Sequence, residues 1–215
     1  MKKLLAAVFA LVLSSAAAQA AVVNFDFTGN GGLATSYTFT DGGSGVSVTA
    51  TAASFSNGGT VTTNPNYRVG QYSGGLGMTR DYRDSHQVDG SYGNDLIVFD
   101  FNTDVTLQSV SFTHVDSNDH FSFFFDQGDN GSLDDINFNV DIPNSGTYAF
   151  FGTWTGDLFG IGAHDPNLLD WSRDDFKISG MSVSVVPLPA ALPLYGAGMA
   201  VLGFIGWRRK KRLSA

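Results

Sequence analysis

Apolar and polar residues alternate with a period of two along much of the chain, which is the pattern of strands that bury one face. Nine runs carry this pattern. They are residues 22–27, 37–40, 45–55, 95–101, 105–115, 120–126, 136–142, 147–154 and 176–186. Turn-forming residues separate the runs, so the pattern predicts an all-β domain, an antiparallel β-sandwich of the jelly-roll type.

Two of these runs change phase. The apolar positions switch from odd to even numbers between Leu107 and Val110, and from even to odd between Ile178 and Met181. Such slips predict β-bulges. Residues 56–94 and 155–175 show no clear period, and segments of this length are either functional loops or contain weak strands. Only residues 166–171 are a candidate for a short helical turn.

The amino-terminal segment has the organisation of an export signal. Lys2 and Lys3 precede ten consecutive apolar residues, Leu4–Leu13, and small residues then lead to Ala18-Gln19-Ala20. This order predicts a secretory signal peptide, residues 1–20, removed after Ala20 by the secretion machinery.

The carboxyl-terminal segment predicts a single transmembrane helix. Residues 190–207 are 18 consecutive residues without a charge, about 27 Å as a helix and just enough to span a bilayer. Five cations follow, namely Arg208, Arg209, Lys210, Lys211 and Arg212. A basic cluster resists translocation, so we expect the carboxyl terminus in the cytoplasm and residues 21–186 outside it.

The same segment resembles a known sorting signal. Val186-Pro187-Leu188-Pro189, a glycine-rich apolar stretch, Gly206-Trp207 and the basic cluster are together similar to the PEP-CTERM signal of Gram-negative bacteria. The resemblance implies an exosortase as processing partner, an inner-membrane intermediate, and delivery to the cell surface or extracellular matrix. The chain then divides into a signal peptide (1–20), an exported domain (21–186) and a sorting signal (187–215).

A second resemblance lies inside the exported domain. Gly75-Leu76-Gly77-Met78, His86-Gln87-Val88-Asp89-Gly90 and Asn94–Phe101 resemble a block that occurs in many exosortase-dependent surface proteins. The block covers residues 75–101, and the resemblance does not by itself assign a chemistry to it.

Composition and charge exclude several function classes. The chain has no Cys, which excludes disulfides, cysteine-ligated metals and thiol catalysis. Residues 21–186 contain 5 basic and 20 acidic residues, a formal charge of −15, so no nucleic-acid partner is expected. The four histidines match no metalloprotease pattern and no Gly-x-Ser-x-Gly elbow is present. We therefore predict a protein that is not an enzyme.

Calcium is the candidate cofactor. Residues 126–135 concentrate carboxylate and amide oxygens, the ligands that calcium prefers, while a plain hairpin turn selects the same residue types. The entry of the last strand, Asp174-Asp175, also resembles the acidic strand start at which jelly-roll modules contact a structural calcium. The predicted ligands are Asp126, Asp129, Asn130, Asp134 and Asp175.

Aromatic residues suggest a carbohydrate contact. Trp154 and Trp171 flank a loop rich in Gly and Asp, and exposed aromatic faces are suited to packing on sugar rings, although large aromatics most often lie in the core. The leading hypothesis is a non-catalytic surface or matrix protein that serves adhesion or the structure of the exopolysaccharide or biofilm matrix. A carbohydrate-binding module is the alternative, and a secreted polysaccharide hydrolase is the third hypothesis.

Overall fold

The computed structural model describes residues 20–81, 84–90, 93–164, 174–185 and 198–199. Residues Ala21–Val186 form a compact unit of their own. Within the described residues no helix has the length and apolar character needed to cross a bilayer. The predicted span 190–207 lies outside the described residues except for Gly198 and Met199, and so do residues 1–19, the basic cluster and the predicted helical turn at 166–171.

The described part of the compact unit is built from strands, which confirms the all-β prediction. The strands are β1 (Val22–Asp26), β2 (Gly32–Ala34), β3 (Ser36–Thr40), β4 (Ser47–Phe55), β5 (Val61–Thr63), β6 (Arg68–Tyr72), β7 (Gly75–Thr79), β8 (Val88–Asp89), β9 (Asn94–Thr113), β10 (His120–Phe125), β11 (Asp134–Asp141), β12 (Thr147–Ala149), β13 (Thr155–Gly162) and β14 (Asp175–Val185). Every pairing among them is antiparallel.

Strand β9 is the central element because it belongs to two layers. Its first half, residues 94–101, pairs with β4 on one edge and β13 on the other. Its second half, residues 105–113, pairs with β14 on one edge and with β12 and the beginning of β13 on the other. Gly156 is opposite Val105 while Leu158 is opposite Asp100, so residues 101–104 have no partner in the ladder between β9 and β13. The strand changes layer at this irregularity.

The first layer has the order β3-β4-β9-β13-β10-β11, with β5 beside the end of β4. The second layer has β12-β9-β14, then β1, β7 and β8 along the far edge of β14, and β6 and β2 beyond β7. Phenylalanines join the layers: Phe27 of the segment after β1 stacks on Phe99 at 5.4 Å, and Phe112 contacts Phe121 at 5.2 Å between ring centroids. The arrangement is therefore sandwich-like, with an aromatic core.

Both predicted bulges are confirmed. Ser109 is opposite Ser182 and Leu107 is opposite Val183, which leaves Gln108 as the extra residue of β9. Ile178 is opposite Phe112 and Gly180 is opposite Ser111, which leaves Ser179 as the extra residue of β14. The phase change of the apolar pattern thus keeps the same face of each strand toward the core on both sides of the bulge.

The segments without a clear period contain the weak strands β5 to β8 and β13. The predicted strand 147–154 was too long, since only residues 147–149 are β-strand before a new strand begins at Thr155. β13 is hard to see because glycines interrupt its apolar residues. A Cβ on Gly162 would overlap the backbone oxygen of Asp95 and lie 2.7 Å from the ring of Phe55. Close packing therefore requires glycine at position 162, and a hydropathy pattern does not show this requirement.

The two ends of the sandwich differ in the residues that lie there. Val185 donates its N–H to the backbone oxygen of Ala21 at 2.9 Å, so both ends of the compact unit lie together. We call this the terminal end. β14 begins about 30 Å away, at 3.3 Å per residue, where Asp175 pairs with Asp89. We call this opposite region, which also contains Asp95, Asp174 and His120, the polar end.

Candidate functional site

The polar end gathers ionisable side chains that are far apart in sequence. β7 leads into Arg80, β8 contributes Asp89, β9 begins beside Asp95, and β14 begins after Asp174. Gly77 makes the assembly possible, because a Cβ there would overlap the backbone oxygen of His86, and Met78 donates to the oxygen of Gln87 at 3.2 Å. The segment around residues 84–87 can therefore lie directly on β7.

A buried ion pair forms the centre of the polar end. Arg80 Nε lies 2.7 Å from Asp95 Oδ1, and the side chains of Arg80 and Asp95 are 18% and 1% exposed. Arg80 also donates from Nη2 to the oxygen of Asn94 at 2.6 Å. Burial raises the pKa of Asp95 to about 8, the guanidinium of Arg80 opposes this rise, and the nearby Asp89 adds to it. A carboxyl group in this setting titrates near neutral pH.

Two further carboxylates surround the ion pair. One oxygen each from Asp84, Asp89 and Asp95 lies within 4.8 Å of the others. Two of these carboxylates accept hydrogen bonds from the chain itself. The N–H of Arg80 donates to Asp84 Oδ2 at 2.7 Å, and Ser85 donates its hydroxyl to Asp89. Three carboxylate oxygens are suitable ligands for a hard cation, and the guanidinium of Arg80 supplies positive charge at the same place.

A histidine network adjoins this group. His120 donates its N–H to Asp174 Oδ1 at 2.9 Å, its Nδ1 lies 3.2 Å from the same oxygen, and its Nε2 lies 2.8 Å from Asp141 Oδ1. Asp119 accepts the N–H of Asp175 at 3.0 Å and so fixes the start of β14. Burial raises the pKa of Asp174 to about 6 against the opposing hydrogen bonds from His120, and burial also raises the pKa values of Asp119 and Asp175.

The predicted calcium ligands are placed in two separate regions. Asp126 follows the last residue of β10. Asp175 lies near the opposite end of that strand, because its neighbour Asp174 accepts a hydrogen bond from His120, the first residue of β10. The five residue steps of β10 separate these regions by about 17 Å. Asp175 instead accepts a hydrogen bond from Gln87 Nε2 at 2.6 Å. The structure therefore does not bring Asp175 together with the other four residues.

The 126–134 turn is organised by backbone donors. The carboxylate of Asp126 accepts the N–H groups of Gly128, Asn130 and Gly131 at 3.2, 3.1 and 2.6 Å. Desolvation acts to raise the pKa of Asp126, but these donors together outweigh it and lower the pKa.

The other predicted ligands of this turn also take part in its local structure. Asn130 Oδ1 accepts the N–H of Ser132 at 2.9 Å, and Asp129 has a positive φ of 49°. Asp134 Oδ2 accepts the N–H of Gln127 at 3.4 Å. Calcium binding at this turn stays a prediction.

Of the two predicted carbohydrate residues, Trp154 is described. Its ring packs edge-on against Phe123 and Phe125, with centroids 5.4 and 5.8 Å apart, and is partly buried against the core. Its carbohydrate role stays a prediction, in a position where the ring also has a packing role. Trp171 lies outside the described residues, as do Val186, Pro187, Leu188 and Pro189 of the sorting motif.

Sequence reasoning did not single out Arg80 and Asp84. The available signal was the block 75–101, since its three segments form β7, β8 and the first half of β9 and contribute Asp89 and Asp95 to the polar end. Comparison of the chain with protein-family models, with curated proteins and with solved structures yields no match. The resemblance to exosortase-dependent proteins therefore stays a prediction from the sequence.

Proposed function

We propose that the chain is an exported, non-catalytic protein of the cell surface or extracellular matrix, sorted and processed by an exosortase. The observation that carries this proposal is the order of segments in the sequence: two lysines with ten apolar residues, an acidic domain, then a proline motif, an apolar stretch and five consecutive cations. The acidic domain folds as an antiparallel sandwich, for which we propose jelly-roll connectivity. Its contribution after processing is adhesion or matrix structure.

The boundaries of the compact unit support the proposal. Ala21–Val186 are compact without the two predicted targeting segments, so removal of both segments would leave the sandwich intact. Strand pairing reaches both ends of the unit: Val22 is opposite Ser184, and Val185 donates to Ala21. A product trimmed at both ends would therefore keep its terminal strands paired.

Mass spectrometry of both termini tests the proposal. The protein is recovered from an exosortase-containing host and from the same host without the enzyme. We expect a terminus at Ala21 in both hosts, and a carboxyl terminus near the 186–189 motif, with release from the membrane, only where exosortase is present. The double variant Pro187→Ala, Pro189→Ala should remain uncut, whereas the matched control Pro65→Ala, a turn residue, should be processed normally. An uncut full-length chain in the cytosol of both hosts would contradict the proposal.

A further inference from the structure

The second layer of the sandwich has an outward face whose central residues carry no charge, and the exposed Asp104 of β9 and Asp26 of β1 border it. It is formed by β12, the beginning of β13, the second half of β9, the end of β14 and the beginning of β1, and core residues alternate with outward residues along these strands. Six hydroxyl or amide residues form its centre. We call these the hydroxyl face: Thr106, Gln108, Ser111, Thr147, Thr155 and Ser184.

Three hydrogen bonds between neighbouring strands hold the hydroxyl face in place. Thr106 Oγ1 lies 2.7 Å from Thr155 Oγ1, and Ser111 Oγ lies 3.1 Å from Thr147 Oγ1. Gln108, the bulged residue of β9, donates from Nε2 to Ser184 Oγ at 3.1 Å. All three pairs are exposed, so the groups keep free donor or acceptor capacity toward solvent. A polar surface that is already ordered loses little side-chain entropy when it binds a ligand.

An exposed aromatic ring lies at the edge of the hydroxyl face. Phe150 donates its N–H to the oxygen of Gln108 at 2.8 Å and packs against Phe123, with ring centroids 4.7 Å apart. Because successive residues of an extended chain point to opposite sides, Phe151 points outward, on the side of Ala149. It is 91% exposed, the highest value among the exposed large hydrophobic residues of the described chain.

Charge selects the class of ligand. The compact unit has a formal charge of −15, and Asp26, opposite Gly180 at the border of the face, belongs to this acidic surround. An anionic polymer would be repelled by the unit as a whole. A cationic polymer would be drawn to the carboxylates around the face, including Asp26 and Asp104, rather than to its uncharged centre. Uncharged hydroxyl and amide groups beside an aromatic ring are instead complementary to sugar hydroxyls and to the C–H face of a sugar ring.

We propose that the hydroxyl face with Phe151 binds an uncharged polysaccharide chain. The inference rests on the proposed function, because it names the matrix component that the exported domain holds. Neighbouring strands are about 4.8 Å apart, so the three strand spacings from β12 to β1 give a platform about 14 Å wide. Hydroxyl rows across the strands hydrogen-bond the chain, and Phe151 packs against one ring at the margin. The partly buried Trp154 supports this edge from the core side.

Native electrophoresis of the full chain in non-ionic detergent tests the proposal. The gels contain hydroxyethyl cellulose, galactomannan or dextran as neutral probes, alginate as the acidic probe, or no polysaccharide, and serum albumin serves as the mobility reference. We expect at least one neutral polymer to retard the protein and alginate not to do so. Phe151→Ala should weaken the apparent affinity roughly three- to tenfold, and Gln108→Ala should weaken it in the same direction.

The matched control is Leu33→Ala. Leu33 is also an exposed large hydrophobic residue, at 48% exposure, but it lies on β2 away from these strands, so its removal should leave retardation unchanged. Thermal unfolding of each variant shows whether the fold is kept. The proposal is overturned by lack of retardation in all three neutral polymers, by equal retardation in alginate, or by wild-type retardation of Phe151→Ala. Retardation without polysaccharide that Phe151→Ala abolishes would identify the face as a self-association surface and also overturn it. None of these outcomes alters the termini, so failure here is distinguishable from failure of exosortase processing.

Discussion

Replacing Asp95 by Asn should remove a pH dependence of stability that the burial of this carboxyl group creates. Burial raises the pKa of Asp95 to about 8 from the ordinary value of 3.8. Between these two values the folded chain holds a proton that the unfolded chain has released. Stability therefore falls as pH rises through this window, by up to about 1.4 kcal/mol per pH unit.

The magnitude follows from the two pKa values. Between pH 6 and pH 8 the unfolded carboxyl is fully ionised, while the folded one passes from protonated to half ionised, so Asp95 alone should lower the free energy of unfolding by about 2 kcal/mol. Asp174, with a pKa of about 6, acts mainly below this interval. In Asp95→Asn the side chain does not titrate, and the unfolding free energy should be nearly flat from pH 6 to pH 8. Replacement of the carboxyl group beside Arg80 also changes the absolute stability, so the slope of the unfolding free energy against pH is the quantity to compare.

Urea unfolding followed by tryptophan fluorescence at pH 6, 7 and 8 measures this slope. Asp100→Asn is the matched control, because Asp100 lies exposed on the same strand, and it should keep the wild-type slope. A wild-type stability that is flat or rising over this interval would refute the reasoning, as would an unchanged slope in Asp95→Asn.

Two further predictions concern backbone positions. Gly77→Ala should lower the free energy of unfolding by about 2 kcal/mol, because its methyl group would overlap the backbone oxygen of His86. The control Gly42→Ala has open space around the added methyl group and should change the free energy of unfolding by less than about 0.5 kcal/mol. Equal urea midpoints for the two variants would contradict this. Asp126→Ala should cost about 1 to 2 kcal/mol in EDTA through the loss of its backbone hydrogen bonds, and a wild-type urea midpoint in EDTA would contradict this. A larger cost in calcium than in EDTA would support the predicted cation site.

Strands with a strong apolar alternation could be predicted from sequence because one face of each is buried. β14 is an example, since even its bulge at Ser179 left a visible phase change. β13 and β7 could not be predicted in this way. Glycine is required at positions such as 162 and 77 because a side chain there would overlap neighbouring backbone or an aromatic ring, and this requirement does not follow the alternation of buried and exposed positions. Hydropathy shows no clear period where close packing selects glycines in place of apolar residues.

The polar end was predictable only as a block of residues, not as a site. Asp89 and Asp95 belong to the block 75–101, but their proximity to Arg80 depends on the fold of β7 and on the pairing of β8 with β14. The 126–134 turn is a second example. Its oxygen-rich composition predicts a cation, which stays a prediction, and the structure adds that the carboxylate of Asp126 accepts three backbone N–H groups. Composition identifies such groups, and only geometry shows which partner they have.

The adjacency of Ala21 and Val185 gives the sandwich a mechanical anisotropy. A force that separates the two termini would peel β1 from β14 one hydrogen bond at a time, starting at Val22 and Ser184. A force between the carboxyl terminus and the polar end would instead load β14 lengthwise, and its bonds to β9 and β1 would share that load in shear. A domain held at one terminus and pulled from its far side would thus resist extension much better than one stretched between its own ends.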